Sequence, residues 1–180
     1  MRWIALVFPA LVLVGCKGTG SKDLPEGWIE LKQHPEFDDF RPVAVAVLKV
    51  DAPRADTRDE LRRGIYEGLF DKRYSAIKLD VVDSHTSSDG RFEGDSLEWD
   101  ATMKVRLDTW KSLRSGRWIE AGGTATLTHR SGEVLWDCSF GNYPFRVESA
   151  AGSTDYQVAV RAIALLFLDR LPDCPPLPAE

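Results

Sequence analysis

A chain of 180 residues, 43% apolar and 28% charged, is long enough to bury one hydrophobic core and too short for several. Its 28 acidic residues outnumber 23 basic ones, for a formal net charge of −5. Phosphate binding needs a basic face, so this balance argues against a nucleic-acid partner.

Arg2 gives a short basic start, residues 4–14 form an apolar run, and small Gly15 precedes Cys16. That is the layout of a secretory signal. The run is too short to span a hydrocarbon core of about 30 Å, which takes about 20 apolar residues. Leu13-Val14-Gly15-Cys16 closely resembles a bacterial lipobox, in which the cysteine thiol is acylated and becomes the first residue of the mature protein. The resemblance implies cleavage after residue 15 and lipidation at Cys16; the residence expected for the chain is the outer membrane, facing the periplasm. Loss of Arg2 leaves 22 basic against 28 acidic residues, a net charge of −6, so acyl chains rather than charge must hold the protein on lipid. Each buried methylene contributes about 0.8 kcal/mol, and two or more chains anchor stably where one does not. Two of the three cysteines then remain, Cys138 and Cys174, an even number in an oxidising compartment. A disulfide between them is expected, worth about 4 kcal/mol in the chain-entropy model.

Residues 16–27 are polar and rich in Gly, Ser and Pro, with no apolar period, which reads as a flexible tether to a single domain over 28–180. Gly18-Thr19-Gly20-Ser21-Lys22 lacks the order of a phosphate-binding loop. Over 28–39 the pair His34-Pro35 and the pair Asp38-Asp39 break any long element. His34, Glu36, Asp38 and Asp39 match no metal-ligand spacing, so this stretch reads as a solvated loop. From Val43 to Val50 apolar residues fall on both faces, as in a strand covered on each side. Thr57 and Glu60 form a capping box for a helix whose stripe is Leu61, Ile65, Leu69 and Phe70. Ile77, Leu79 and Val81 alternate with Lys78 and Asp80, which predicts a second strand, followed by a polar loop over 84–96.

The alternation is clearest next, where Leu97, Trp99, Ala101, Met103, Val105 and Leu107 point one way and Glu98, Asp100, Thr102, Lys104, Arg106 and Asp108 the other. After a turn over 111–117, Ile119, Ala121, Ala125 and Leu127 oppose Glu120, Thr124, Thr126 and Thr128. Arg130-Ser131-Gly132 makes a hairpin turn, and a last strand sets Val134, Trp136, Cys138 and Phe140 on one face against Asp137 and Ser139. A core helix capped by Ser153 or Thr154 runs to Leu171, where Pro172 stops it before an extended tail.

This order predicts an α+β fold: a two-layer sandwich with a mixed five-stranded sheet in the order β-α-β-β-β-β-α and both helices on one face. Cys138 lies on the apolar face, which the terminal helix must cover, and the end of that helix carries Cys174 back within reach. The apolar first strand, Tyr74-Ser75-Ala76-Ile77, the meander with Trp110, Ser131-Gly132-Glu133-Val134-Leu135-Trp136 and a helix ending in Leu-Pro together resemble bacterial lipoproteins of the CsgG, LpoB and TolB-amino-terminal-like architecture. The resemblance covers residues 42–172 and carries over no functional residue. It departs from relatives that place another helix between the second and third strands.

His34, His85 and His129 lie in unrelated segments, and no nucleophile elbow, zinc-protease helix or dinucleotide-binding glycine set occurs. The expectation is a non-enzymatic lipoprotein without cofactor or metal, serving as an accessory or scaffold in envelope assembly or secretion through an envelope protein partner. The alternative is an auxiliary lipoprotein of a lipid-transport system, resembling LptE or the accessory subunits of ABC-type lipid exporters, with a groove near residues 28–40. Glu98, Lys104, Arg106 and Asp108, with Thr124, Thr126 and Thr128, form rows on the wet side of the sheet, and alternation puts Trp110 among them as a contact surface.

Overall fold

The computed structural model describes residues 26–113, 118–146 and 155–175. The signal segment, Cys16, most of the tether and the predicted helix cap at Ser153 or Thr154 lie outside the described residues. The elements in order are β1 (Trp28–Gln33), α1 (Phe37–Phe40), β2 (Ala44–Val47), α2 (Ala55–Asp71), β3 (Ser75–Ala76), α3 (Leu79–Ser84), β4 (Ala101–Leu113), β5 (Trp118–His129), β6 (Val134–Arg146) and α4 (Asp155–Leu168). They build one six-stranded mixed sheet in the order β1-β6-β5-β4-β2-β3. The meander β4-β5-β6 is antiparallel, β1 adds antiparallel to β6, and β2 runs parallel to both β3 and β4.

Helices α2 and α4 share one face of the sheet. Leu61, Ile65 and Leu69 from α2 join Val160, Ile163 and Phe167 from α4 in the main core, over Val45, Val47, Met103, Val105, Ala125, Leu127, Trp136 and Phe140. The helices approach closely because α2 presents Gly64 and Gly68. A Cβ on Gly64 would stand 3.2 Å from Ala164 Cβ, and one on Gly68 would overlap the Leu168 methyl and lie 3.2 Å from its Cγ. Arg161 Nε and Glu60 Oε1 stand 3.8 Å apart along the same seam. The helix starts one turn earlier than the capping box implies, with Arg54 at the N-cap. Thr57 is buried inside the first turn, where its hydroxyl donates to Arg54 O at 2.5 Å.

A second, smaller cluster covers the opposite face of β2. Ala46, Val82 and Phe92 are buried there, with Leu48, Ile77, Leu97 and Trp99 packed against them. Both faces of β2 are therefore covered, which is why its sequence is apolar throughout. Arg62 joins the layers: its Nε and Nη2 donate to Val47 O at 3.1 and 2.9 Å, and its Nη1 pairs with Asp83 at 2.9 Å.

Among the described residues there are six strands in the sheet rather than five, and four helices, two of them short. The sixth strand is β1, in the stretch expected to be loop. The predicted strand around Ile77–Val81 is instead a two-residue strand followed by α3. Ile77 N still donates to Val45 O at 2.9 Å. Beyond it α3 sends Leu79 to the main cluster and Val82 to the smaller one. Strand β4 begins at Ala101, because Leu97 and Trp99 belong to the smaller cluster, on the other face from Ala101 and Met103.

The expected Cys138–Cys174 disulfide is not formed: both thiols are free. Cys138 is fully buried, while Cys174 is held elsewhere by its backbone, its N–H donating to Lys72 O at 2.9 Å at the end of α2. Tyr74 OH donates to Pro172 O at 2.9 Å and Trp136 Nε1 to Arg170 O at 3.0 Å, fixing the path of the segment after α4.

Candidate functional site

The side of the sheet away from α2 and α4 is polar across four strands. The register places Lys104 of β4, Thr126 of β5, Asp137 of β6 and Lys32 of β1 in one row. The next row is Arg106, Thr124, Ser139 and Glu30. Thr102 and Thr128 pair at one end, and at the other Gly141 pairs with Trp28 and Thr109 with Gly122. Directly opposed residues share a face, so these are continuous rows rather than scattered polar groups.

Hydrogen bonds tie the rows together. Thr126 Oγ1 donates to Asp137 Oδ2 at 2.9 Å and Ser139 Oγ to Asp137 Oδ1 at 3.3 Å. The hydroxyls of Thr124 and Ser139 are 3.4 Å apart. Lys32 Nζ pairs with Glu30 Oε1 at 3.0 Å, and Arg106 Nε with Asp108 Oδ1 at 2.7 Å. The hydrogen bond and charge of Glu30, with the Asp137 carboxylate adding, raise the Lys32 pKa above the usual lysine value. The face is a plate of fixed donors and acceptors with opposite charges interleaved, an arrangement suited to recognition.

Trp28 lies at the corner of this plate. A Cβ on Gly141 would be 2.5 Å from the indole Nε1 and Cε2, so the ring rests on bare glycine backbone, and Trp28 is 50% exposed.

Two residues of the predicted contact surface are elsewhere. Glu98 precedes β4 and lies outside its rows. Trp110 packs half-buried against the main core rather than on the polar side. The cause is a bulge: register shifts between Leu107 and Thr109, so Trp110 pairs with Ala121 and turns to the core face. Lys104 and Arg106 are exposed on the plate, and Asp108 sits at the bulge beside Arg106. Sequence reasoning did not place Trp28, Glu30 and Lys32 on this face, because the alternation of Ile29 and Leu31 with Glu30 and Lys32 is only four residues long.

A second polar grouping lies near the start of β2. Asp100 Oδ2 accepts from Val43 N at 3.1 Å and Ala44 N at 2.8 Å, pinning β2 to β4. Phe40 packs edge-on between His34, at 5.0 Å, and His129, at 5.1 Å. Burial lowers the His129 pKa, as does the neighbouring Arg130 charge, against Asp100. Its Nδ1 is 2.8 Å from Ser131 Oγ and accepts from Ser131 N at 3.2 Å. Glu36 N donates to His34 Nδ1 at 3.2 Å, a turn contact at the start of α1. Among the described residues no group of three or more His, Cys, Asp or Glu is placed to hold a metal.

No protein-family model matches this chain, and no curated protein matches it. Among solved structures it is similar to the PelC dodecamer from Paraburkholderia phytofirmans, with a TM-score of 0.51 and 14% identity, over 79% of this chain and 97% of that one. Lipoprotein GNA1162 from Neisseria meningitidis aligns with a TM-score of 0.47 and 16% identity, over 70% of this chain and 95% of that one. At this identity the likeness to PelC is one of fold. No helix among the described residues is long and apolar enough to cross a membrane.

Proposed function

We propose that this chain is a lipid-anchored lipoprotein of the outer membrane, facing the periplasm, that acts without a catalytic step as an accessory or scaffold in envelope assembly or secretion. The observation that carries this reading is the polar plate on β4, β5, β6 and β1, left open among the described residues on the side away from α2 and α4. Supporting it are the lipobox ending at Cys16 and a fold shared with PelC. The reading keeps the chain in the CsgG, LpoB and TolB-amino-terminal-like group that its motifs resemble. A lipid-carrying role draws less support, because the segment expected to line a groove supplies an edge strand, with Phe37 buried in the core and Phe40 packed between two histidines.

Two experiments test it. Wild type should fractionate with outer membranes and Cys16→Ala should not; equal recovery would remove the anchor. A photo-crosslinking residue at Lys104 or Thr126 in intact cells should capture one envelope protein in stoichiometric yield, whereas the same residue at exposed Asp59 of α2 should not. Equal capture from both positions would refute the plate as the docking face.

A further inference from the structure

Beyond the plate, β1 forms the edge of the sheet among the described residues. We propose that the β1 edge, through Trp28 and Leu31, seats against the lipid surface to which the chain is anchored. This rests on the lipid-anchor reading above and adds an orientation to it.

Trp28 and Leu31 are 50% and 49% exposed, and their register partners Gly141 and Cys138 put them on opposite faces of the same edge strand. Val134, 48% exposed, lies just past the strand's end, where His34 N donates to Leu135 O. Three of the five exposed large hydrophobic residues among those described therefore line one edge; the other two, Phe70 and Leu165, lie on the helices. Of the charged residues on the strand, Glu30 and Lys32 pair with each other at 3.0 Å.

The tether keeps β1 within reach of the anchor. From Cys16 to Trp28 the chain reaches at most about 40 Å when fully extended, which is about the diameter of a domain this size. No described strand or helix is nearer the anchor along the chain than β1. Tryptophan favours the membrane–water interface, where its ring is buried and its N–H stays wet. Depth follows from the backbone: among the described residues the outer edge of β1 has no strand partner, and hydrocarbon would leave its N–H and C=O groups unsatisfied. The seat is shallow, at headgroup level.

The test uses the mature lipidated protein in vesicles of phosphatidylethanolamine and phosphatidylglycerol, some lipids carrying bromine near the carbonyl end of the acyl chain and others near the methyl end. The protein should float with the vesicles, and the shallow bromines should quench part of its tryptophan emission more than the deep ones. That quenching should vanish in Trp28→Phe and fall in Leu31→Ser, with melting temperatures held. Flotation with the same quenching in Trp28→Phe, or with none in wild type, overturns this inference alone. Crosslinks between β1 strands of neighbouring copies, with Trp28 shielded from bromine, assign the edge to a second copy and also overturn it. Failure to float removes the anchor, and the seat with it.

Discussion

The closeness of α2 and α4 makes a prediction whose sign depends on one side chain. Gly68→Ala adds a methyl that overlaps the Leu168 Cδ1 and lies 3.2 Å from its Cγ. Leu168 is only 6% exposed, so its side chain has little room to turn away. Replacing glycine inside a helix gains about 1 kcal/mol, whereas forcing a methyl into a packed seam costs about 1–3 kcal/mol. The net expectation is a loss of about 1 kcal/mol, or about 3 °C in melting temperature for a domain of this size. Leu168→Ala alone should cost about 2–3 kcal/mol through the cavity it leaves. In that background the overlap is gone, so adding Gly68→Ala should stabilise by about 1 kcal/mol. Urea unfolding of the four proteins closes the cycle. If Gly68→Ala stabilises both backgrounds equally, the two helices are not in the contact described.

Arg62→Met should cost about 2–4 kcal/mol, since it removes both donors to the Val47 carbonyl as well as the ion pair. Asp83→Asn should cost under about 1 kcal/mol because Asp83 is 39% exposed; a larger loss in urea unfolding for Asp83→Asn than for Arg62→Met would refute this division. Burial pushes the Cys138 thiol up to about 11 and also raises Cys174, which is partly exposed, so at pH 8 a thiol reagent should label Cys174 first and Cys138 only on unfolding. A linked peptide pair after digestion without reductant would contradict both the free thiols and that order. His129 has a lowered pKa in the folded state, so the unfolded chain binds the proton more readily; its contribution is complete above about pH 6.5 and is lost as pH falls. His129→Asn should flatten the decline in melting temperature between pH 7.5 and 5.5, and a slope matching wild type would refute the assignment.

Elements with their own periodicity were legible in the sequence. The apolar β2, the stripe of α2, the β4-β5-β6 meander and the apolar α4 carry patterns that local sequence displays. Strand β1 was hidden because its alternation, Ile29 and Leu31 against Glu30 and Lys32, is short and His34-Pro35 follows at once; pairing with distant β6 makes it a strand. The stretch after Ile77 was misread because Leu79, Val81 and Val82 fit a strand or a helix over so short a run, and two clusters on opposite sides of the sheet decide for α3. Trp110 was misplaced for a different reason. Alternation holds only while register holds, and the bulge beside Leu107 advances the phase by one residue. The rows through Lys104, Arg106, Thr124 and Thr126 precede that bulge and keep the phase the sequence implies.

The pairing of β1 with β6 also orders events in time. Trp28 lies opposite Gly141 and Gln33 opposite Trp136, so the first described strand cannot find its place until nearly the whole domain has been synthesised. Contacts between such distant parts of a chain carry the largest closure entropy and form late. Until then the outer edge of β6 offers its unpaired backbone groups to any strand that arrives, including β1 from another copy. Strand β1, though made first among the described elements, therefore joins the sheet late.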